Sequence, residues 1–252
     1  MQNELAIPRR FIVLTTQRTG SSWLMDRINS VPGGEGHMEL FYHSPRREPP
    51  RAGCNDYPRF VEIGARFGRR PRAVFDYLDR LYSRPGAVGF KLMYSQMRQY
   101  PETLAYILRR RLLIVHLVRR NHLDVVLSEC LARKTGRFHA TAEEGYRQKG
   151  VLEVDAADVA RRVRRLDRKN RAFSAMLRML PNPVHEVGYE ELCTSDAPFL
   201  ELCGFLGIDG SKEDRSREKL IKTQRAPHRA LIHNYDEVRD ALAVSGYQHL
   251  LN

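Results

Sequence analysis

The chain has 252 residues, with 42 Lys and Arg against 30 Asp and Glu, a formal net charge of +12, and 42% hydrophobic residues. That balance suits one α/β domain, or at most two small ones, and excludes a disordered chain, a fibre and a disulfide-stapled miniprotein. A chain of this length buries enough surface to fold without a metal or a disulfide, and its excess of positive charge asks for an anionic partner: nucleic acid, anionic lipid or a phosphorylated cofactor.

The first predicted strand is the apolar run 11–14, ending at Thr15-Thr16. The polar, Gly-containing segment 17–22 breaks it. Leu24, Ile28 and Val31 then recur at helical spacing until Pro32-Gly33-Gly34 stops the helix. Residues 33–56, rich in Gly, Pro and Arg, read as a loop. Helices are predicted over 58–69 and 71–83, a second strand over 88–93, a short helix over 102–110 and the clearest strand over 112–118, apolar but for His116. A helix follows from about Asn121. Residues 155–180 form a long amphipathic helix with eight basic residues against three acidic ones. A short strand at 184–187 and helices over 197–206 and 236–243 close the chain. Strands alternating with helices predict an α/β, three-layer fold, with a central mainly parallel sheet flanked by helices in a single domain spanning 1–252.

Cys54, Cys130, Cys193 and Cys203 form no CxxC and share no zinc spacing with histidines, so they read as reduced thiols. The first residues are too weakly apolar for a signal peptide, and no later stretch is long and apolar enough to span a membrane. The expectation is a soluble, cytoplasmic protein.

Two constellations carry chemistry. Residues 15–23, Thr-Thr-Gln-Arg-Thr-Gly-Ser-Ser-Trp, join a buried strand to a helix. Free N–H groups and the dipole at a helix start attract anions, Gly20 lets a ligand approach the backbone, Ser21 and Ser22 add hydroxyls, and Arg18 adds a permanent charge with a planar fork of donors. An ordinary strand–helix turn has the same outline. GxxxxGK[ST] and GxGxxG are both missing, which argues against a Walker loop and against dinucleotide binding. The second constellation follows the strongest strand: Arg120 at its carboxyl end, and Ser128 about two turns into the next helix. Ligands of open parallel sheets bind beyond the carboxyl ends of the strands.

Residues 15–23 resemble the 5′-phosphosulfate loop of the sulfotransferase family, and 120–128 resemble its 3′-phosphate motif. Further likenesses lie at Gly188-Tyr-Glu-Glu-Leu192, at 232–238 and at 88–93, the last similar to bacterial carbohydrate sulfotransferases of the trehalose type. The cytosolic branch usually has Lys where Arg18 stands; Arg appears in the bacterial branch. The resemblance implies a P-loop-like fold and transfer of the sulfuryl group of 3′-phosphoadenosine-5′-phosphosulfate (PAPS) to an acceptor hydroxyl, with adenosine 3′,5′-bisphosphate as product and no metal. The acceptor would be a carbohydrate, a glycolipid or a small natural product.

In that reading Arg18, Thr19, Gly20, Ser21, Ser22 and Trp23 line the phosphosulfate, Arg18 stabilises the leaving charge, and Arg120 and Ser128 hold the 3′-phosphate. Tyr189 lies near the adenine or is a core tyrosine. Lys91 touches the sulfuryl oxygens or is a surface lysine. Glu39, before Leu40-Phe41-Tyr42, is the preferred general base, with His37 next and Glu35 and His43 behind it. The basic segment 219–229 matches no motif cleanly. The basic stretch 161–178 is a solvated face or a surface for membrane headgroups or another anion. Two alternatives stay open: a kinase-like P-loop phosphotransferase, and a non-catalytic basic nucleic-acid-binding protein. The second is disfavoured because the aromatics do not interleave with the basic residues, so no nucleic-acid partner is expected.

Overall fold

Phe11-Ile-Val-Leu14 has no polar residue, so neither face of this stretch can meet water. It folds as the middle of β1 (Arg9–Thr15), and all four side chains are buried. Burying each such side chain contributes about 1.5–3 kcal/mol, which is why a continuous apolar run becomes a central strand. The computed structural model describes residues 9–43, 57–135, 151–217 and 227–251. Among these, five parallel strands form one sheet in the order β2-β3-β1-β4-β5. They are β1, β2 (Gly34–Glu39), β3 (Ala87–Met93), β4 (Leu113–Val118) and β5 (Val184–Gly188).

The helices are α1 (Ser21–Ser30), α2 (Phe60–Ile63), α3 (Arg72–Leu81), α4 (Tyr94–Gln99), α5 (Glu102–Arg110), α6 (His122–Thr135), α7 (Ala156–Arg178), α8 (Tyr189–Thr194), α9 (Ala197–Leu206), α10 (His228–Leu231) and α11 (Tyr235–Val244). Two compact units result. One holds the described residues up to Val118 together with 180–217. The other holds the described residues of 119–179 and those from Pro227 on.

The first unit contains the sheet. Alternate side chains point to opposite faces. Phe11, Val13, Val115 and Leu117 pack with Leu24, Met25 and Ile28 of α1 and with Phe199, Leu202 and Leu206 of α9. On the other face Phe90 meets Phe41 and Tyr82, and the aromatic cluster continues through Phe60, Tyr77 and Tyr100. Gly89 permits one close approach: a Cβ there would lie 2.5 Å from the Phe11 ring.

In the second unit the inner faces of α6, α7 and α11 bury Leu123, Leu127, Val159, Val163, Val238 and Leu242. Asp155 caps α7 by accepting the Asp158 N–H at 3.0 Å. Asn234 ties the chain before α7 to the start of α11 through the Val154 N–H and C=O.

The structure corrects the sequence reading at two places. The stretch read as a loop over 33–56 begins with β2, a strand on the edge of the sheet. Its Gly34-Glu-Gly-His-Met-Glu sequence has little β-propensity. Backbone pairing with β3 makes it a strand, and its glycines make room for α1, since a Cβ at Gly34 or Gly36 would lie 2.3 Å from Ile28 O or 2.8 Å from Met25 Cε. Residues 44–56, Cys54 included, lie outside the described residues. The helix predicted over 58–69 is only α2 and a 3₁₀ turn, Gly64–Phe67. It ends at Gly68, whose φ of +91° is outside the helical range.

Candidate active site

The loop between β1 and α1 is braced from inside. The Thr15 hydroxyl donates to Leu117 O at 2.8 Å and lies 2.7 Å from Thr19 Oγ1, while Thr19 Oγ1 donates to Thr16 O at 3.1 Å. These bonds fix the loop to β1 and β4. Arg18 and Gly20 both have left-handed backbones, with φ of 61° and 80°. For Arg that conformation costs about 1–2 kcal/mol, the kind of stored strain that clusters at functional sites. Gly20 is the N-cap of α1, whose first turn is Ser21-Ser22-Trp23 and carries no acidic residue. The positive end of the helix dipole therefore meets no competing carboxylate of its own, and the turn suits an anion. The Thr19 hydroxyl is committed within the loop, so the backbone N–H is what Thr19 can offer a ligand.

Tyr189, the first residue of α8, lies directly on this loop. A Cβ at Gly20 would be 2.2 Å from its ring. The same ring meets Trp23 edge-on, with centroids 6.2 Å apart and planes at 80°. Tyr189 is half-buried and packs against the core that α1 and α9 share with the sheet.

Beside α1, Lys91 extends from β3 on the α1 side of the sheet and is only 4% exposed. Its ammonium donates to Ser22 Oγ at 3.2 Å and pairs with Glu39 Oε1 at 3.1 Å. A buried lysine survives only with such partners. The other Glu39 oxygen, Oε2, accepts from Gln96 Nε2 at 2.7 Å, and Gln96 Oε1 accepts the Met93 N–H at 3.0 Å. Glu39 reaches this place through a register shift. His37 pairs with Phe90, but Glu39 pairs with Lys91. Without the bulge, residues two apart would share a face. With it, Glu39 turns to the Lys91 side and His37 stays on the aromatic side.

His37 and Glu35 therefore lie apart from Lys91. His37 is fully buried, its Nδ1 accepts the Tyr57 N–H at 3.3 Å, and its Nε2 lies 2.9 Å from Glu35 Oε1. That acceptor role at Nδ1 assigns the proton to Nε2 in the neutral ring. Glu35 is also ion-paired to Arg84. His43 is exposed.

The second unit carries Arg120 and Ser128. Arg120 is exposed just before α6, and Ser128 is half-buried in its second turn. Asn121 caps the helix by accepting the Asp124 N–H at 3.1 Å. Asp124 collects Arg119 at 2.7 Å and His228 at 3.0 Å. Within the basic segment 219–229, Lys219, Lys222 and Arg225 lie outside the described residues.

Three polar features escaped the sequence reading. Gln96 sits on a helix with no apolar periodicity to announce it. Arg27 stacks 3.8 Å from the Phe199 ring centroid and pairs with Glu213 at 2.7 Å and Asp196 at 3.1 Å, tying α1 to the start of α9 and to the segment after it. His116 bonds the Tyr94 hydroxyl through Nε2 and Glu186 through Nδ1 at 2.9 Å. Burial holds the His116 pKa below the usual imidazole value and pushes Tyr94 above the usual phenol. Among the described residues, no three His, Cys, Asp or Glu side chains cluster as a metal would require.

No family model and no curated protein matches the chain. Solved structures do. The chain is similar to a sulfotransferase from Alicyclobacillus acidocaldarius at 15% identity, covering 96% of this chain and 95% of that one, with a TM-score of 0.46. It is similar to the sulfotransferase domain of the Synechococcus PCC 7002 olefin synthase at 15% identity, covering 97% and 98%, with a TM-score of 0.44. A sulfotransferase from Mycobacterium tuberculosis H37Rv matches at 17% identity over 85% and 72%, with a TM-score of 0.35. All three are sulfotransferases, the family that the motifs resemble. At such low identity and TM-score they assign no role to any residue of this chain.

Proposed function

We propose that this protein transfers the sulfuryl group of PAPS to a hydroxyl of a carbohydrate, a glycolipid or a small natural product. The observation that carries this reading is the position of Lys91, between a serine of the anion-seeking helix turn and a partly exposed carboxylate, Glu39. A cation, a hydroxyl and a proton acceptor thus stand within one side chain's reach of each other. The set fits a phosphosulfate: α1's N-terminus, Arg18, the Ser21 and Ser22 hydroxyls and Lys91 all favour an anion.

Bound PAPS supplies an activated sulfuryl group with a phosphate as leaving group. The residues of the chain do the rest. Ser21, Ser22 and the backbone of the loop hold the phosphosulfate, and Lys91 and Arg18 offset the charge that grows on the oxygen leaving sulfur. Glu39 takes the proton of the acceptor hydroxyl as its oxygen bonds to sulfur. Gln96 and Lys91 keep the Glu39 carboxylate in one orientation. The resemblance gives Arg120 and Ser128 the 3′-phosphate, the group that separates this nucleotide from ATP.

The test is a screen of sugars, glycolipids, phenols and alcohols with labelled PAPS, read by mass spectrometry. A gain of about 80 daltons on one class supports the reading, since the transition state needs only positioning and charge stabilisation of this kind. Transfer of a phosphoryl group from ATP to the same compounds, with none from PAPS, overturns it.

A further inference from the structure

One face of α7 is strongly basic, and the proposed transfer does not call on it. Along α7, residues 161, 165, 168, 172, 175 and 179 follow one another at alternating spacings of four and three, and 164, 171 and 178 follow at seven, so the two rows run side by side along the helix. Every one of these residues is exposed. Six are arginines and none is acidic. Arg161 pairs with Asp158, and Arg171 pairs with Asp167 at 3.0 Å. Arg164, Arg165, Arg168 and Arg178 have no carboxylate partner among the described residues.

Where α7 faces the end of α11, Arg164, Arg168 and Arg171 line an open groove of about 560 Å³ with Ser245 and Tyr247. Tyr247 and Arg171 hold Asp167, so its carboxylate is already occupied: the Tyr247 hydroxyl donates to it at 2.9 Å. Val244, on the rim of this groove, is 91% exposed, and Met179, at the far end of the row, is 86% exposed. The opposite face of α7 is buried through Val159, Val163 and Leu177. The helix therefore cannot roll its apolar side into another phase, and only the arginine face is on offer.

We propose that the arginine face of α7 docks on an anionic lipid surface, with phosphate headgroups at the arginines and Val244 and Met179 entering the headgroup layer. Arg161 to Arg178 span about 26 Å of helix, too long for one small anion and suited to a sheet of charges. A nucleic acid or a sulfated glycan would match the arginines, but it would leave the two apolar side chains in water. The attraction is electrostatic and falls within about one Debye length, so docking weakens as salt rises. This surface needs no sulfuryl transfer, and the two proposals can fail separately.

The test is co-sedimentation of the full chain with phosphatidylcholine vesicles, with and without 30% phosphatidylglycerol, at low and at physiological salt. Binding to the anionic vesicles alone, reduced by salt, is the expected result. Each arginine at such a surface changes partitioning about fivefold, so the Arg164→Ala/Arg168→Ala double variant binds about thirtyfold more weakly. Val244→Asp, at a position that is 91% exposed, also weakens it. Absence of binding to anionic vesicles at low salt overturns the proposal. So does equal binding by the double variant, or binding to heparin and to single-stranded DNA with none to vesicles, which would identify a polyanion surface instead.

Discussion

Gln96 donates its amide to Oε2 of Glu39 at 2.7 Å, and its carbonyl takes the N–H of Met93 at 3.0 Å. One buried side chain thus joins the end of β3 to the carboxylate that we assign as the base. Gln96→Leu removes a hydrogen bond to a charged group, worth about 1.5–3 kcal/mol, and frees the carboxylate to turn. Turnover should fall about ten- to a hundredfold, with adenosine 3′,5′-bisphosphate binding unchanged in calorimetry and the acid limb of the pH–rate profile displaced. A uniform loss of binding and turnover would mark Gln96 as a fold residue only.

Gly20 and Tyr189 make a second testable pair. Gly20→Ala places a methyl 2.2 Å from the Tyr189 ring at a φ of 80°. The backbone conformation alone costs about 1 kcal/mol or more. Denaturant unfolding should show a loss of about 1–3 kcal/mol, and Tyr189→Ala in the same chain should restore part of it by opening the space. Unchanged stability in Gly20→Ala would mean that the ring does not press on the loop.

Arg120→Ala should weaken binding of adenosine 3′,5′-bisphosphate by several-fold to a hundredfold, about 1–3 kcal/mol for a charged hydrogen bond. Binding of adenosine 5′-phosphosulfate, which lacks the 3′-phosphate, should hardly change. Equal losses with both nucleotides would take the 3′-phosphate role away from Arg120.

The sequence already displayed the central strand, because an apolar run has only one place to go, and the helices α5 and α9, whose bounds are the predicted 102–110 and 197–206. It also displayed the loop, as a break in the apolar pattern with Gly and Ser at a helix start. It did not display β2, whose residues are poor strand formers held by a neighbour. The bulge that parts Glu39 from His37 was hidden with it. Residue type placed both among the possible bases, the Leu40-Phe41-Tyr42 that follows put Glu39 first by resemblance, and the register sets the two on different faces. Lys91 looked like a strand-end cation. Its burial follows from two partners far away in sequence, Ser22 and Glu39, which no local pattern reveals.

Stability should depend on pH through His116. Burial holds its folded pKa below the unfolded value, so the unfolded chain binds the proton more readily. Stability is then greatest above about pH 6.5, the unfolded imidazole value, and falls as pH drops from there toward the folded value. His185 is displaced in the same direction, also by burial. His116→Gln should lose stability at pH 7.5, where its bonds to Tyr94 and Glu186 are broken, yet show a shallower decline between pH 6.5 and 5. Parallel curves for the two proteins would show that His116 does not govern this window.

Glu39→Gln keeps the size of the side chain and can still accept from Gln96, so donor binding should survive while turnover drops a hundredfold or more, in the range of lost general-base catalysis. Full activity in this variant would hand the proton to another group, with His37 the first to examine despite its place on the other face.

The central claim is that the loop after β1 and its neighbours bind a nucleotide by its phosphosulfate and 3′-phosphate without help from a metal. Calorimetric titration of the wild-type protein with adenosine 3′,5′-bisphosphate and with ATP, each run once in a metal chelator and once with magnesium, reads it most directly. The account predicts saturable one-to-one binding of the bisphosphate and at least tenfold weaker binding of ATP. Tight ATP binding that requires magnesium, with the bisphosphate left unbound, would contradict it.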